Sequence, residues 1–170
     1  MQTTASVLHR GNQRGLTRVE FAVSAAVCAV LAGLLLGVVL YYQELGEKTE
    51  VDLTILNIRA GIRYRVADRM MNGNLNELAA SIAGNPVHFL ATQPAGYVGE
   101  LRDHASDPVG KGSWYFDLEQ RELRYRPRLH SHLSPDLPLL RWRVAPIYAS
   151  GGTKRLESLT LVNVEPYRWF

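Results

Sequence analysis

The chain has 170 residues, 46% of them hydrophobic, which is enough for one modest globular domain together with a membrane segment. Its formal charge of +3 is unevenly placed, because the first fifteen residues carry two arginines and no acid. The remainder, with 17 basic and 16 acidic residues, is close to neutral and gives little support for a nucleic-acid role despite the pI of 9.2. The single cysteine, Cys28, excludes an intramolecular disulfide and a cysteine-based zinc site.

The first long apolar segment runs from Phe21 to Tyr42 and holds 22 residues without a formal charge. At about 1.5 Å per residue, a helix over this segment spans roughly 33 Å, close to the ~30 Å of a bilayer's hydrocarbon core. A secretory signal peptide has a shorter apolar region, of about 7–15 residues. The segment therefore predicts a transmembrane helix.

The charges on either side of this segment predict its orientation. Basic residues precede it (Arg10, Arg14, Arg18), whereas acids outnumber the one base after it (Glu44, Glu47 and Glu50 against Lys48). By the positive-inside rule the N-terminus stays cytoplasmic and the rest of the chain is translocated. We therefore expect a single-pass membrane protein whose C-terminal domain lies outside the cytoplasm.

The residues directly before the apolar segment form an unusual string, RGLTRVEF over residues 14–21. A carboxylate at Glu20 is costly at the edge of a membrane helix unless it is paired. The string resembles the class III signal of type IV prepilins and type II secretion pseudopilins. That resemblance implies cleavage by a prepilin peptidase between Gly15 and Leu16, followed by N-methylation of Leu16. The family usually has phenylalanine or methionine where this chain has Leu16.

The same resemblance implies a role in subunit registration for Glu20. After cleavage, its carboxylate would pair with the freed α-amino group of Leu16 on a neighbouring subunit, and such a pair in low dielectric penalises misregistered subunits. Gly33 and Gly37 have G-x-x-x-G spacing, which favours close helix packing. The ordinary glycine content of membrane helices explains the two glycines about as well.

The helical pattern continues beyond the membrane segment. Apolar residues recur at steps of three and four on one narrow face: Val51, Ile55, Ile58, Ile62 and Val66. Since no proline occurs before Pro86, one helix is predicted from about Leu16 to Met71, ended by Asn72-Gly73-Asn74. Leu53 and Leu56 point away from the stripe, towards either neighbouring subunits or a half-buried core.

The C-terminal half predicts a small sheet. Residues 73–111 form a loop-rich connection with a short helix over Leu75–Ala83 and turns at Pro94-Ala95-Gly96 and Asp107-Pro108. Strands are predicted over Ser113–Leu118, Glu122–Arg128, Leu139–Ile147 and Leu156–Val164, the first two as a hairpin. The predicted fold class is therefore α+β, with the long helix packed on an antiparallel sheet of about four strands.

This interpretation divides the chain into five parts. Residues 1–15 are the leader peptide, 16–42 the transmembrane or filament-core helix and 43–72 the amphipathic half of the helix. Residues 73–111 form the variable connection and 112–170 the sheet.

The sequence carries no recognisable catalytic motif and indicates no cofactor or metal. Asp103, His104 and Asp107 lie close together, and His130 and His132 form an H-x-H pair, but all five fall in loop-like stretches. Arginines cluster on two predicted strands near Tyr125 and Trp142: Arg121, Arg124, Arg126, Arg128, Arg141 and Arg143. Alternation along the strands favours a solvated sheet face over a DNA-binding surface by about four to one.

The resemblance implies a structural subunit that lies in the bacterial inner membrane, with its C-terminal domain periplasmic, before it enters a pilus or pseudopilus. The absence of the two-cysteine loop found in many major pilins favours a minor pilin or a pseudopilin. Its expected partners are the prepilin peptidase, other pilin or pseudopilin subunits, membrane lipids, and the inner-membrane assembly platform with its ATPase. The alternative is a single-pass anchored periplasmic domain that acts as a sensor or secretion accessory. The Gly15 and Glu20 signature favours the filament subunit.

Overall fold

The computed structural model describes residues 17–72, 82, 84–102, 109–148 and 156–170. The chain divides into two compact units, Met1–Tyr41 and Tyr42–Phe170. One helix, α1, covers Arg18–Met71 and runs from the first unit into the second. The long helix predicted from the sequence is confirmed over its described residues.

Helix α1 ends close to the predicted stop. Met71 is its last residue, and Asn72 donates its backbone N–H to the Asp68 carbonyl in a turn. The predicted terminator residues Gly73 and Asn74 lie outside the described residues, as does the predicted short helix Leu75–Ala83 except for Ile82. The chain then forms a 3-10 helix over Pro86–Phe89, which the sequence did not predict. Asn85 caps it by accepting a hydrogen bond from the Val87 N–H at 3.0 Å.

Seven strands follow within the described residues: β1 (Tyr97–Leu101), β2 (Ser113–Asp117), β3 (Glu122–Arg126), β4 (Leu133–Ser134), β5 (Leu140–Tyr148), β6 (Leu156–Asn163) and β7 (Arg168–Trp169). Five of them form one sheet in the order β1-β2-β3-β5-β6, and β4 pairs with β7 in a separate two-stranded sheet. The four strands predicted from the sequence are β2, β3, β5 and β6, and their mutual pairing is antiparallel.

The predicted α+β fold, a long helix packed on an antiparallel sheet of about four strands, is confirmed, and one further strand joins the sheet at its edge. Strand β1 pairs in parallel with β2, so the sheet has five strands and is mixed. Its sequence, YVGEL, contains Gly99 at a φ of +118°, where the register between the two strands shifts. A glycine inside a short run weakens the strand pattern, and β1 lies within the stretch 73–111 that the sequence predicts as a loop-rich connection.

The apolar stripe of α1 forms the helix side of the core. All five of its residues are at most 5% exposed. They pack with the inner face of the sheet, which contributes Trp114, Leu123, Tyr125, Leu140, Trp142, Val144, Leu159 and Leu161. Burying aliphatic side chains of this size stabilises the fold by about 1.5–3 kcal/mol each, so the stripe is the main attachment of helix to sheet. The resulting arrangement is consistent with a pilin-like α+β fold.

Gly61 marks the closest approach of α1 to the 3-10 helix. A Cβ added at this position would lie 2.3 Å from the Phe89 carbonyl oxygen, far inside van der Waals contact. A backbone oxygen cannot rotate away as a long side chain can. Helix and 3-10 segment therefore fit together only with glycine here.

We predict that Gly61→Ala lowers the free energy of unfolding by about 1–3 kcal/mol, because overpacking outweighs the gain in helix propensity. Gly46→Ala on the same helix is the matched control, since nothing lies within 4 Å of its added Cβ, and it should stabilise by up to ~1 kcal/mol. Urea unfolding of the full chain in detergent, followed by tryptophan fluorescence, measures both. Equal effects of the two substitutions would contradict the close contact.

Candidate functional site

The N-terminus of α1 is closed by a reciprocal pair of hydrogen bonds. The Thr17 N–H donates to Glu20 Oε2 at 2.8 Å, and the Glu20 N–H donates to Thr17 Oγ1 at 3.3 Å. This is a capping box, in which a threonine N-cap and a glutamate three residues later satisfy two otherwise unpaired N–H groups. Glu20 thus has a role at the start of α1 that the interpretation as a registration residue did not include. The predicted cleavage residues Gly15 and Leu16 lie outside the described residues.

The part of α1 that belongs to the first unit presents apolar side chains on every side. The 18-residue window that is long and apolar enough to cross a membrane has none of its residues buried. Exposed members include Phe21, Val27, Leu31, Leu35 and Val38. An apolar surface of this extent needs a lipid or protein environment. The helix can therefore span a membrane, as its length and composition predict.

Gly33 and Gly37 lie on this exposed helix without a close neighbour. A Cβ at either position would meet no atom within 4 Å. Helix α1 continues through both glycines. Their proposed role in helix packing therefore stays a prediction about contacts with other chains.

A second apolar stripe follows the outer face of α1 in the second unit. Its members recur at steps of three and four residues and are all exposed: Leu53, Leu56, Ala60, Tyr64, Ala67 and Met71. Leu53 and Leu56 are 53% and 55% exposed. Of the two positions that the sequence left open for them, a half-buried core and the surface, they therefore occupy the surface. At about 100° per residue, this outer stripe lies opposite the stripe that packs on the sheet.

The least expected feature of α1 is a pair of buried carboxylates one turn apart. Glu44 is 2% exposed and Glu47 is 7% exposed, although the sequence indicated only charges flanking a membrane segment. They continue the buried stripe, because Glu44, Glu47 and Val51 follow one another at steps of three and four residues. Extending the spacing of the stripe towards the N-terminus would therefore have predicted that both glutamates are buried. Buried carboxylates require hydrogen-bond donors, and both have them.

Glu47 is held by groups from β3 and the segment that follows it. Its Oε1 accepts hydrogen bonds from the Tyr125 hydroxyl at 2.7 Å and the Arg128 N–H at 2.6 Å, and its Oε2 accepts one from the Leu129 N–H at 3.1 Å. Burial, together with this acceptor, raises the pKa of Tyr125. The tyrosine therefore remains a neutral donor to the carboxylate.

Glu44 is held by the next part of the same segment and by β7. Its Oε1 accepts from the His132 N–H at 2.8 Å and the Trp169 indole N–H at 3.1 Å, and its Oε2 lies 2.9 Å from His132 Nδ1. Burial by itself raises the pKa of Glu44, but the hydrogen bonds from His132 and Trp169 outweigh it, so the net pKa lies below its ordinary value of 4.5. Glu44 is therefore ionised at neutral pH.

Three of the six arginines in the predicted cluster form an ion-pair network on the outer face of the sheet. Arg124 is buried between Asp117 at 2.9 Å and Glu122 at 3.2 Å. Arg143 lies 2.8 Å from Glu122, and Arg141 pairs with Glu165.

The two aromatic residues considered with these arginines, Tyr125 and Trp142, are in the core on the opposite face. The expectation that the arginines lie on a solvated face was wrong for Arg124, which is buried. Tyr125 and Trp142 do not share a surface with the arginines, so these residues do not form a mixed basic and aromatic surface.

The histidines do not converge on a metal site within the described residues, where no group of three or more histidine, cysteine, aspartate or glutamate side chains is suitably placed. His132 contacts Glu44, whereas His130 Nε2 lies 3.8 Å from Asp136. Asp103, His104 and Asp107 lie outside the described residues.

Comparison of the chain with protein-family models, with curated proteins and with solved structures found no match. Its function is therefore inferred from its own residues and their geometry.

We predict that Glu47→Gln lowers the free energy of unfolding by about 3 kcal/mol, because the amide loses the charge and turns an N–H₂ group towards N–H and O–H donors. Glu50→Gln, an exposed position one turn further along α1, is the matched control and should change stability by less than about 0.5 kcal/mol. Urea unfolding in detergent measures both variants. A Glu47→Gln protein as stable as the control would show that the buried carboxylate does not stabilise the fold.

Proposed function

We propose that the chain is a structural subunit of an envelope filament, either a minor pilin of a type IV pilus or a pseudopilin of a type II secretion system. A prepilin peptidase would cleave it between Gly15 and Leu16. The inner membrane would hold the chain, with its N-terminus cytoplasmic and its domain periplasmic, until the assembly platform and its ATPase extract it. Subunits would then associate through α1.

The observation that carries this proposal is the order of features along one continuous helix. A Gly15-Leu16 junction precedes a capped helix start at Thr17 and Glu20, an exposed apolar segment follows, and the same helix then supplies the core of the domain. An ordinary membrane anchor needs only the apolar segment. A filament subunit needs a helix that can exchange lipid for the helices of its neighbours.

The outer stripe of α1 supports association through the helix beyond the membrane segment. Leu53, Leu56 and Tyr64 are each more than half exposed, on the side of α1 away from the sheet. The small residues Ala60 and Ala67 lie between the larger ones and allow close approach of another helix. A periplasmic sensor domain that functions alone has no need of such a stripe.

Glu20 fits the proposed registration role because capping leaves part of its carboxylate available. The hydrogen bond from Thr17 uses Oε2, and Oε1 has no partner among the described residues. An α-amino group at Leu16 of a neighbouring subunit could therefore pair with Oε1 without breaking the capping box. Inside a filament core, that pair would be formed in low dielectric, where leaving the carboxylate unpaired is costly.

We predict that Glu20→Ala lowers incorporation into sheared filaments at least tenfold, a loss of about 1.4 kcal/mol or more, while peptidase cleavage proceeds. The measurement is the ratio of chain in the filament fraction to chain in the membrane fraction, in cells that contain the peptidase and the other subunits.

Thr17→Ala is the matched control, since it removes one hydrogen bond of the capping box and keeps the carboxylate. Unchanged incorporation of Glu20→Ala would contradict the pairing, and an equal loss in Thr17→Ala would assign the effect to helix capping instead.

A further inference from the structure

The carboxylates of Glu44 and Glu47 connect α1 to a segment distant in sequence. Together they accept six hydrogen bonds, three of them from backbone N–H groups of residues 128–132. The segment, residues 128–132, joins β3 to β4. We call the two carboxylates and this segment the latch.

We propose that the latch is an acid-released attachment, which holds the first turns of α1 after the apolar segment against the domain and lets them go when its carboxylates are protonated. The inference depends on contacts within the second unit and does not depend on the filament proposal.

The donors around the latch explain why it requires ionised carboxylates. An ionised carboxylate accepts on both oxygens, whereas a protonated carboxyl group carries an O–H donor of its own. At Glu47 both oxygens face donors that cannot reverse their role, the N–H groups of Arg128 and Leu129. Protonation of Glu47 would therefore place its carboxyl O–H against a backbone N–H in the interior, where neither donor has an acceptor. The cost is about that of one unmade hydrogen bond.

The position of the latch decides which part of α1 it controls. Glu44 follows the last residue of the apolar segment, Tyr42, by two positions. The next buried residue of α1 after Glu47 is Val51. Release of the latch would thus move the first buried residue of α1 from Glu44 to Val51, about two helical turns further along.

Solvent protons can reach the latch through His132. Its side chain is 45% exposed, lies 2.9 Å from Glu44 Oε2 and stacks on Phe170 with ring centroids 4.7 Å apart. Other titratable or charged groups on the elements around the latch are Lys48 and the exposed Glu50 on α1, Tyr125 on β3, Arg128 and His130 on the segment, and Arg168 on β7. The side chains of Arg128 and Arg168 are exposed, whereas the carboxylates of Glu44 and Glu47 are buried.

The sign of the pH dependence follows from the lowered pKa of Glu44. A carboxyl group whose pKa is lower in the folded than in the unfolded chain stabilises the fold fully above its ordinary value of 4.5. That contribution is lost as the pH falls through the folded value. The latch is therefore closed at neutral pH and opens only in acid.

The test is hydrogen exchange of the Arg128, Leu129 and His132 amides in the full chain in detergent, with rates corrected for the effect of pH on chemical exchange. We expect their protection in the wild-type chain to fall at least tenfold between about pH 5 and pH 3, before the amides of β5 lose theirs. Retained protection at about pH 3, or loss together with β5, would overturn the proposal.

Two variants separate the carboxylates. At neutral pH, Glu47→Gln should lower the protection of Arg128 and Leu129, and Glu44→Gln that of His132, by about tenfold or more. Glu50→Gln is the matched control and should leave all three amides as in the wild-type chain. Unchanged protection in both latch variants would equally overturn the proposal, and if a variant does not fold, the wild-type pH series decides alone.

Discussion

The packing of five aliphatic side chains of α1 on the inner face of the sheet fixes the rotation of the helix about its axis, and much else depends on that rotation. Val51, Ile58 and Ile62 are each at most 1% exposed, so the helix cannot turn without opening the core. Every other position of α1 in the second unit then has a determined direction. Glu44 and Glu47 are directed inward and Leu53 and Leu56 outward as a consequence of this one contact.

Two consequences of that rotation bear on function. The inward position of the acids requires a segment rich in hydrogen-bond donors, and residues 128–132 with Trp169 provide it. The outward position of the second apolar stripe leaves a surface that a neighbouring helix can cover. Under the proposed function, a subunit drawn from a bilayer into a filament would have to hold its domain firmly on the helix and still present the helix to its neighbours. The inward and outward faces of α1 would then each serve one of these requirements.

The sequence predicted the elements whose signal is local. The stripe at steps of three and four, the four alternating strands and the Gly15-to-Glu20 string are all visible within short windows. The sequence does not predict strand β1, because Gly99 interrupts its five-residue run. It does not predict β4 and β7 either, since a strand of two residues is too short to show an alternating pattern. The partners of Glu47 and Glu44 lie 78–125 residues away, so no window could pair them. Glu20 was interpreted only through the prepilin signal, although Thr17 and Glu20 also have the spacing of a capping box.

The measurement that tests the central claim most directly is the N-terminal mass of the chain extracted from membranes, with and without the host's prepilin peptidase. A filament subunit should have its N-terminus at Leu16 only when the peptidase is present, and one methyl group of added mass would identify the methylated form. An intact N-terminus in the presence of the peptidase, or cleavage beyond Tyr42, would contradict the filament assignment and place the chain among ordinary anchored or secreted domains.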